Sequence, residues 1–97
     1  MKKPFIIVWE FQVSPPQREH FLNAYTARGS WAQLFSQGEG YGGSRLLQDV
    51  NDSNRFMTLD QWLSESHYDA FMKKFASEYR QLDQACEALT VSENRVL

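Results

Sequence analysis

With one cysteine, Cys86, in 97 residues, no internal disulfide can staple this chain. A lone thiol and the absence of a signal-peptide pattern after Lys2 and Lys3 point to a reducing, cytoplasmic setting. Long apolar runs are also missing. The longest extends only from Phe5 to Trp9, far below the ~20 residues of a membrane span, so no membrane partner is expected. Charge of one sign is not in excess either: ten Lys and Arg against twelve Asp and Glu leave a net charge of −2. The Lys2–Lys3 and Lys73–Lys74 pairs are too short to form the basic stripe that nucleic acid requires. Histidine is scarce. His20 and His67 have no cysteine or second histidine at ligand spacing, so no metal site is expected. No nucleophile motif and no pair of carboxylates stands out. Glycine gathers in one place, GEGYGG, which matches G-x-G-x-x-G at Gly38, Gly40 and Gly43. A dinucleotide site needs a strand before this motif and a helix after it, and here the order is reversed, so the segment reads as a loop. Asn51-Asp52-Ser53 fits a glycosylation sequon but reads as turn chemistry without a secretion signal.

Aromatic residues, by contrast, are abundant: seven Phe, four Tyr and three Trp supply large buried areas to a small core and suit the wall of a pocket. The whole chain, 1–97, reads as one domain. Phe5 to Val13 (FIIVWEFQV) predicts a strand, and Ser14-Pro15 predicts a capped helix start, with that helix reaching about Arg28. Gly29 stops it, and Ser30 caps a short second piece. Ser44 to Val50 and Arg55 to Leu63 predict a hairpin around the turn NDSN. Ser64 or Ser66 caps the next helix. Its apolar residues Tyr68, Phe71, Met72, Phe75, Tyr79, Leu82, Cys86 and Leu89 recur at steps of three and four. Thr90 to Leu97 predicts a last strand.

The order βαββαβ is that of an α+β, ferredoxin-like fold: a four-stranded antiparallel sheet with its helices on one face. Strand one is apolar on both sides, and strand three sets Phe56 and Trp62 against Met57, Leu59 and Leu63. Helices can cover only one of these faces, so the other predicts pairing with a second copy, a homodimer. Trp62 closes strand three and Tyr68 follows it; with Trp9, Trp31, Tyr25, Phe71 and Tyr79 they predict a flat aromatic slot.

These segments resemble the antibiotic biosynthesis monooxygenase family of dimeric α/β-barrel proteins. The resemblance runs from Phe5 to Val96 through FIIVWEFQV, GSWAQLFSQGEGYGGSRLL, RFMTLDQWLSESHYDAF and YRQLDQACEALTVSE. Its most telling part is a Trp closing strand three, a polar capping stretch, and an aromatic six residues after the Trp. The resemblance implies a barrel of two sheets back to back, with a pocket in each subunit. It also implies cofactor-independent oxygenation of a small aromatic or polycyclic phenol or quinol, without metal or flavin. Trp62 and Tyr68 would position the substrate and Tyr68 or His67 would assist proton removal. The Asn that anthrone oxidisers carry four residues before the Trp is Thr58 here. The haem-degrading branch uses an Asn near Trp9 and a histidine on the second long helix, where only His67 stands at the start, so haem degradation is disfavoured. The alternative is a non-catalytic homodimer of the same fold that binds a small ligand or regulates.

Overall fold

The computed structural model describes residues 3–97, so Lys2 of the Lys2–Lys3 pair lies outside the described residues. Strand β1 forms over Phe5–Val13, where β-branched and aromatic side chains suit a pleated, packed surface. Pro15–Gln17 makes a 3-10 turn and α1 follows over Arg18–Tyr25. Ser14 makes no side-chain cap. Its backbone N–H instead donates to the Leu89 carbonyl at 3.0 Å, tying the start of the helical layer to the last strand. Helix α1 ends before Arg28 because Thr26 adopts an extended ψ of 167°. Gly29, not Ser30, then takes the N-cap place of α2 (Ser30–Phe35). A Cβ on Gly29 would sit 2.6 Å from the Asn23 and Ala24 carbonyl oxygens, so only glycine fits this turn.

Strand β2 (Tyr41–Gln48) starts before the expected Ser44, with a bulge between Tyr41 and Gly43. Strand β3 spans Arg55–Trp62. In the turn between them the Asn54 N–H donates to the Asp52 carboxylate at 2.9 Å. Ser64 caps α3 (Glu65–Lys74) by accepting the His67 N–H at 3.2 Å. The single long helix expected after it is two. It breaks at Phe75 (φ −110°, ψ 27°), and α4 continues over Ala76–Cys86. The apolar stripe runs on through Phe75, so the break leaves no mark in the sequence pattern. A 3-10 turn at Glu87–Leu89 leads into β4, Thr90–Arg95.

The strands form one antiparallel sheet in the order β2-β3-β1-β4, the ferredoxin-like arrangement. The pleat sorts its side chains. Ile7, Phe11 and Val13 from β1 and Phe56, Thr58, Asp60 and Trp62 from β3 are buried on the helical side. In the core, Phe21 stacks on Tyr25 at 4.4 Å between centroids and meets Phe56 at 5.1 Å. The alternate residues Ile6, Val8, Met57 and Leu59 are only half-buried, and Leu47 beside them is 48% exposed. On the same open face Arg55 pairs with Glu10 at 2.6 Å and Asp49 at 3.0 Å. Among the described residues, no helix is long and apolar enough to cross a membrane.

Candidate functional site

Beneath α1, α2 and α4 lies a partly open cavity of about 50 Å³. Each element contributes to it through a periodicity already visible in its own segment. Strand β1 turns Trp9 and Phe11 upward, and the end of α1 adds Tyr25 and Thr26. Helix α2 supplies Trp31, Ala32 and Phe35, while α4 supplies Tyr79 and Asp83. The sheet floor consists of Ser44, Thr58 and Asp60, and β4 adds Glu93. Trp31 and Tyr79 meet edge to face at 4.9 Å, closing one wall.

The floor carries the chemistry. Asp60 and Ser44 are register partners across β2–β3, so the pleat turns both side chains toward the helices. The Ser44 hydroxyl donates to Asp60 Oδ1 at 2.6 Å and is itself hydrogen-bonded to the Tyr41 hydroxyl. Asp60 is only 9% exposed. Burial raises its carboxyl above the usual aspartate range, and the Ser44 hydrogen bond offsets part of that rise. Glu93 is also raised, first by burial and then by the neighbouring Asp83 and Glu87 charges. Burial likewise pushes the Tyr25 and Tyr79 hydroxyls up, so both stay protonated. Among the described residues, no Lys, Arg or His lines the cavity. Aromatic walls over carboxylate acceptors suit a flat, neutral ligand that donates hydrogen bonds and disfavour one that enters as an anion.

Of the residues expected at the site, Trp9, Tyr25, Thr58 and Tyr79 line this cavity. Trp62, Tyr68, Phe71 and His67 do not. Trp62 is fully buried behind Phe35, whose ring meets it edge to face at 5.9 Å, and it also packs on Tyr41 and Phe71. The strand pattern shows which face Trp62 occupies but not that α2 slides Phe35 between it and the cavity. Tyr68 wedges between Phe5 and Trp62 at 5.7 and 5.8 Å. Its hydroxyl is raised, chiefly by burial, which opposes service as a base. His67 Nδ1 lies 2.7 Å from Ser64 Oγ, and with Phe71 the residue borders a separate cleft of about 310 Å³ instead.

Sequence reading missed the acids. Asp60, Asp83 and Glu93 are far apart in the chain, and only packing brings them to one cavity. For Asp60 a signal existed: it shares the even-numbered, inward side of β3 with Phe56 and Trp62, which marks a buried acid. The glycine segment has a packing role. A Cβ on Gly38 would meet Phe71 at 2.7 Å and Trp62 at 3.0 Å, and one on Gly40 would meet the His67 ring at 2.6 Å. The indole N–H groups of Trp31 and Trp62 find no acceptor among the described residues. Among those residues no group of three or more His, Cys, Asp or Glu is placed to hold a metal.

The family model described as antibiotic biosynthesis monooxygenase matches residues 4–82. The chain belongs to this family. Among curated proteins no relative matches the sequence. Among solved structures it is similar to SnoaB, a cofactor-independent oxygenase from Streptomyces nogalater, with TM-score 0.72 and 15% identity over 99% of this chain and 93% of that one. It is similar to a Pseudomonas aeruginosa protein with TM-score 0.69 and 17% identity, covering 98% and 91% of the two chains. A Lactobacillus acidophilus structure aligns with TM-score 0.73 and 12% identity over 93% of this chain but 41% of its own length. At these identities the likeness is one of fold.

Proposed function

We propose that this family member is a cofactor-independent monooxygenase acting on a small electron-rich phenol or quinol in the cavity beneath α1, α2 and α4. The observation that carries this reading is the aromatic chamber with a buried, hydrogen-bonded carboxylate on its floor. A quinol deprotonated there reduces O2 directly. One oxygen atom enters the ring, and the other leaves as water with two hydrogens from the substrate, so no outside reductant is needed. The same kind of chemistry is carried in the name of SnoaB. Trp9, Tyr25 and Tyr79 would flank the ring, with Thr58 beneath it, while Trp62, Phe71 and Tyr68 hold Phe35 and the surrounding wall. The present volume, about 50 Å³, is below the ~150 Å³ that holds benzene. Binding therefore requires a wall to yield. Trp9 and Tyr79 are the half-buried aromatic side chains of the lining, and one ring fits the space better than several.

The same tightness favours the second reading, a non-catalytic homodimer that binds a small aromatic. Oxygen uptake by chelator-treated protein, with hydroquinones and anthrones, separates the two. Uptake well above the spontaneous rate is expected. Binding of the aromatic without added uptake would establish the non-catalytic reading instead. We also read the protein as a cytoplasmic homodimer, supported by the open apolar sheet face and the buried free thiol of Cys86.

A further inference from the structure

We propose that Asp60 is the catalytic base of this site and that Ser44 and Tyr41 conduct its proton to solvent. The inference rests on the monooxygenase reading above and names the group that starts its chemistry. A base must reach the substrate hydroxyl within the cavity, and geometry leaves few candidates. His67 faces the separate cleft, and Tyr68 packs behind Trp62. Asp83 and Glu93 line the cavity on exposed positions of α4 and β4, while Asp60 is the buried acid of the lining. Its Oδ1 is occupied by Ser44 at 2.6 Å, which leaves Oδ2 to meet a ligand. A carboxylate held among aromatic rings is a stronger base than one in water, which brings it toward the working range of a general base.

The step is a single proton transfer. The substrate O–H bond breaks, an O–H bond forms on Asp60, and the electron pair stays on the phenolate oxygen. No electron changes hands until O2 reacts. With Asp60 protonated, rotation of the carboxyl carries the proton from the Oδ2 side to Ser44; Ser44 turns its own hydrogen to Tyr41, and Tyr41 passes one to water, each hydroxyl gaining one proton and losing one. Tyr41 is half-buried and stands at the start of β2, where such a path can reach solvent. The Asp60 charge in turn bears on the hydroxyls of Tyr41 on β2, Tyr68 on α3 and Tyr79 on α4. All three hydroxyls are raised, mainly by burial, and so are neutral. Across the cavity stand the Asp83 and Glu93 carboxylates, and among the described residues no cation lines it.

The test is steady-state oxygen uptake against pH for wild type, Asp60→Asn, Asp60→Glu and Ser44→Ala. Aromatic affinity is followed by tryptophan fluorescence and folding by circular dichroism. Asp60→Asn should lower the rate at neutral pH by about 10²–10⁴-fold with affinity retained. Its remaining rate should climb tenfold per pH unit as free phenolate takes over. Asp60→Glu should restore part of the rate. Ser44→Ala removes the bond that stabilises the carboxylate, so the acid limb of its rate profile should move to higher pH. This second variant keeps the test decisive if Asp60→Asn does not fold. Active wild type with unchanged profiles in the Asn and Ala variants overturns Asp60 as base and leaves the monooxygenase reading standing. Wild type without uptake overturns both.

Discussion

A carboxyl group placed beneath aromatic rings gives up much of its hydration, and Asp60 keeps a single protein hydrogen bond in return. Because its folded-state pKa is raised, the folded protein holds this proton to higher pH than the unfolded chain does. The stabilising effect is therefore complete below the unfolded aspartate value of about 4 and is lost as pH rises through the folded value. Asp60→Asn should flatten that decline, seen as a Tm that changes less with pH than wild type from about pH 4 upward. Glu93 contributes in the same sense and keeps some slope in the variant. Trp62 illustrates the opposite balance. It fills the core at 0% exposure while its N–H lacks an acceptor among the described residues. Trp62→Ala should cost about 3–5 kcal/mol in urea unfolding. Trp62→Phe should cost clearly less, because the smaller ring also removes the unsatisfied donor.

The segment from the end of α2 into the start of β2 depends on backbone freedom more than on side chains. Gly40 and Gly43 have φ of +87° and +114°, where a Cβ is strained, and only Gly40 also abuts the His67 ring. Gly43→Ala should cost about 1–2 kcal/mol from strain alone, and Gly40→Ala distinctly more. Equal urea midpoints for the two variants would contradict this account. Ser64 sets the start of α3, where its hydroxyl meets both the backbone N–H and the ring of His67. Ser64→Ala should destabilise by about 1 kcal/mol through loss of the cap. Helix α3 ends at Lys73 and Lys74, cations that favour a helix C-terminus, before the chain turns at Phe75.

For the molecule as a whole, the sheet is the asymmetric element. One face lies under helices, and the other presents Ile6, Val8, Leu47, Met57 and Leu59 beside the Arg55 ion pairs. A stable interface buries about 800 Å² per partner, an area of the order that a four-stranded sheet face offers. The wild-type protein should sediment as a dimer at micromolar concentration. Leu59→Lys should shift it toward monomer by placing an unpaired charge at the centre of the face. A wild-type monomer in the same experiment would rule out sheet pairing.

The element order and the grouping of strand residues by face, Asp60 with Phe56 and Trp62, follow from local rules. A strand's period of two and a helix's period near 3.6 assign each side chain to a face before any packing occurs. That Phe56 and Trp62 share one face of β3 and Met57 and Leu59 the other was legible in this way, while which face lies under the helices was not. Which inward aromatic borders the cavity was decided between elements. Trp9, Tyr25 and Tyr79 reach it, whereas Trp62 is screened by Phe35 from α2. The break at Phe75 and the meeting of Asp60, Asp83 and Glu93 have the same origin. Backbone dihedrals determine which way a residue points, but how far two layers slide over one another depends on side-chain volumes from all of them at once. No single segment of the sequence carries that information.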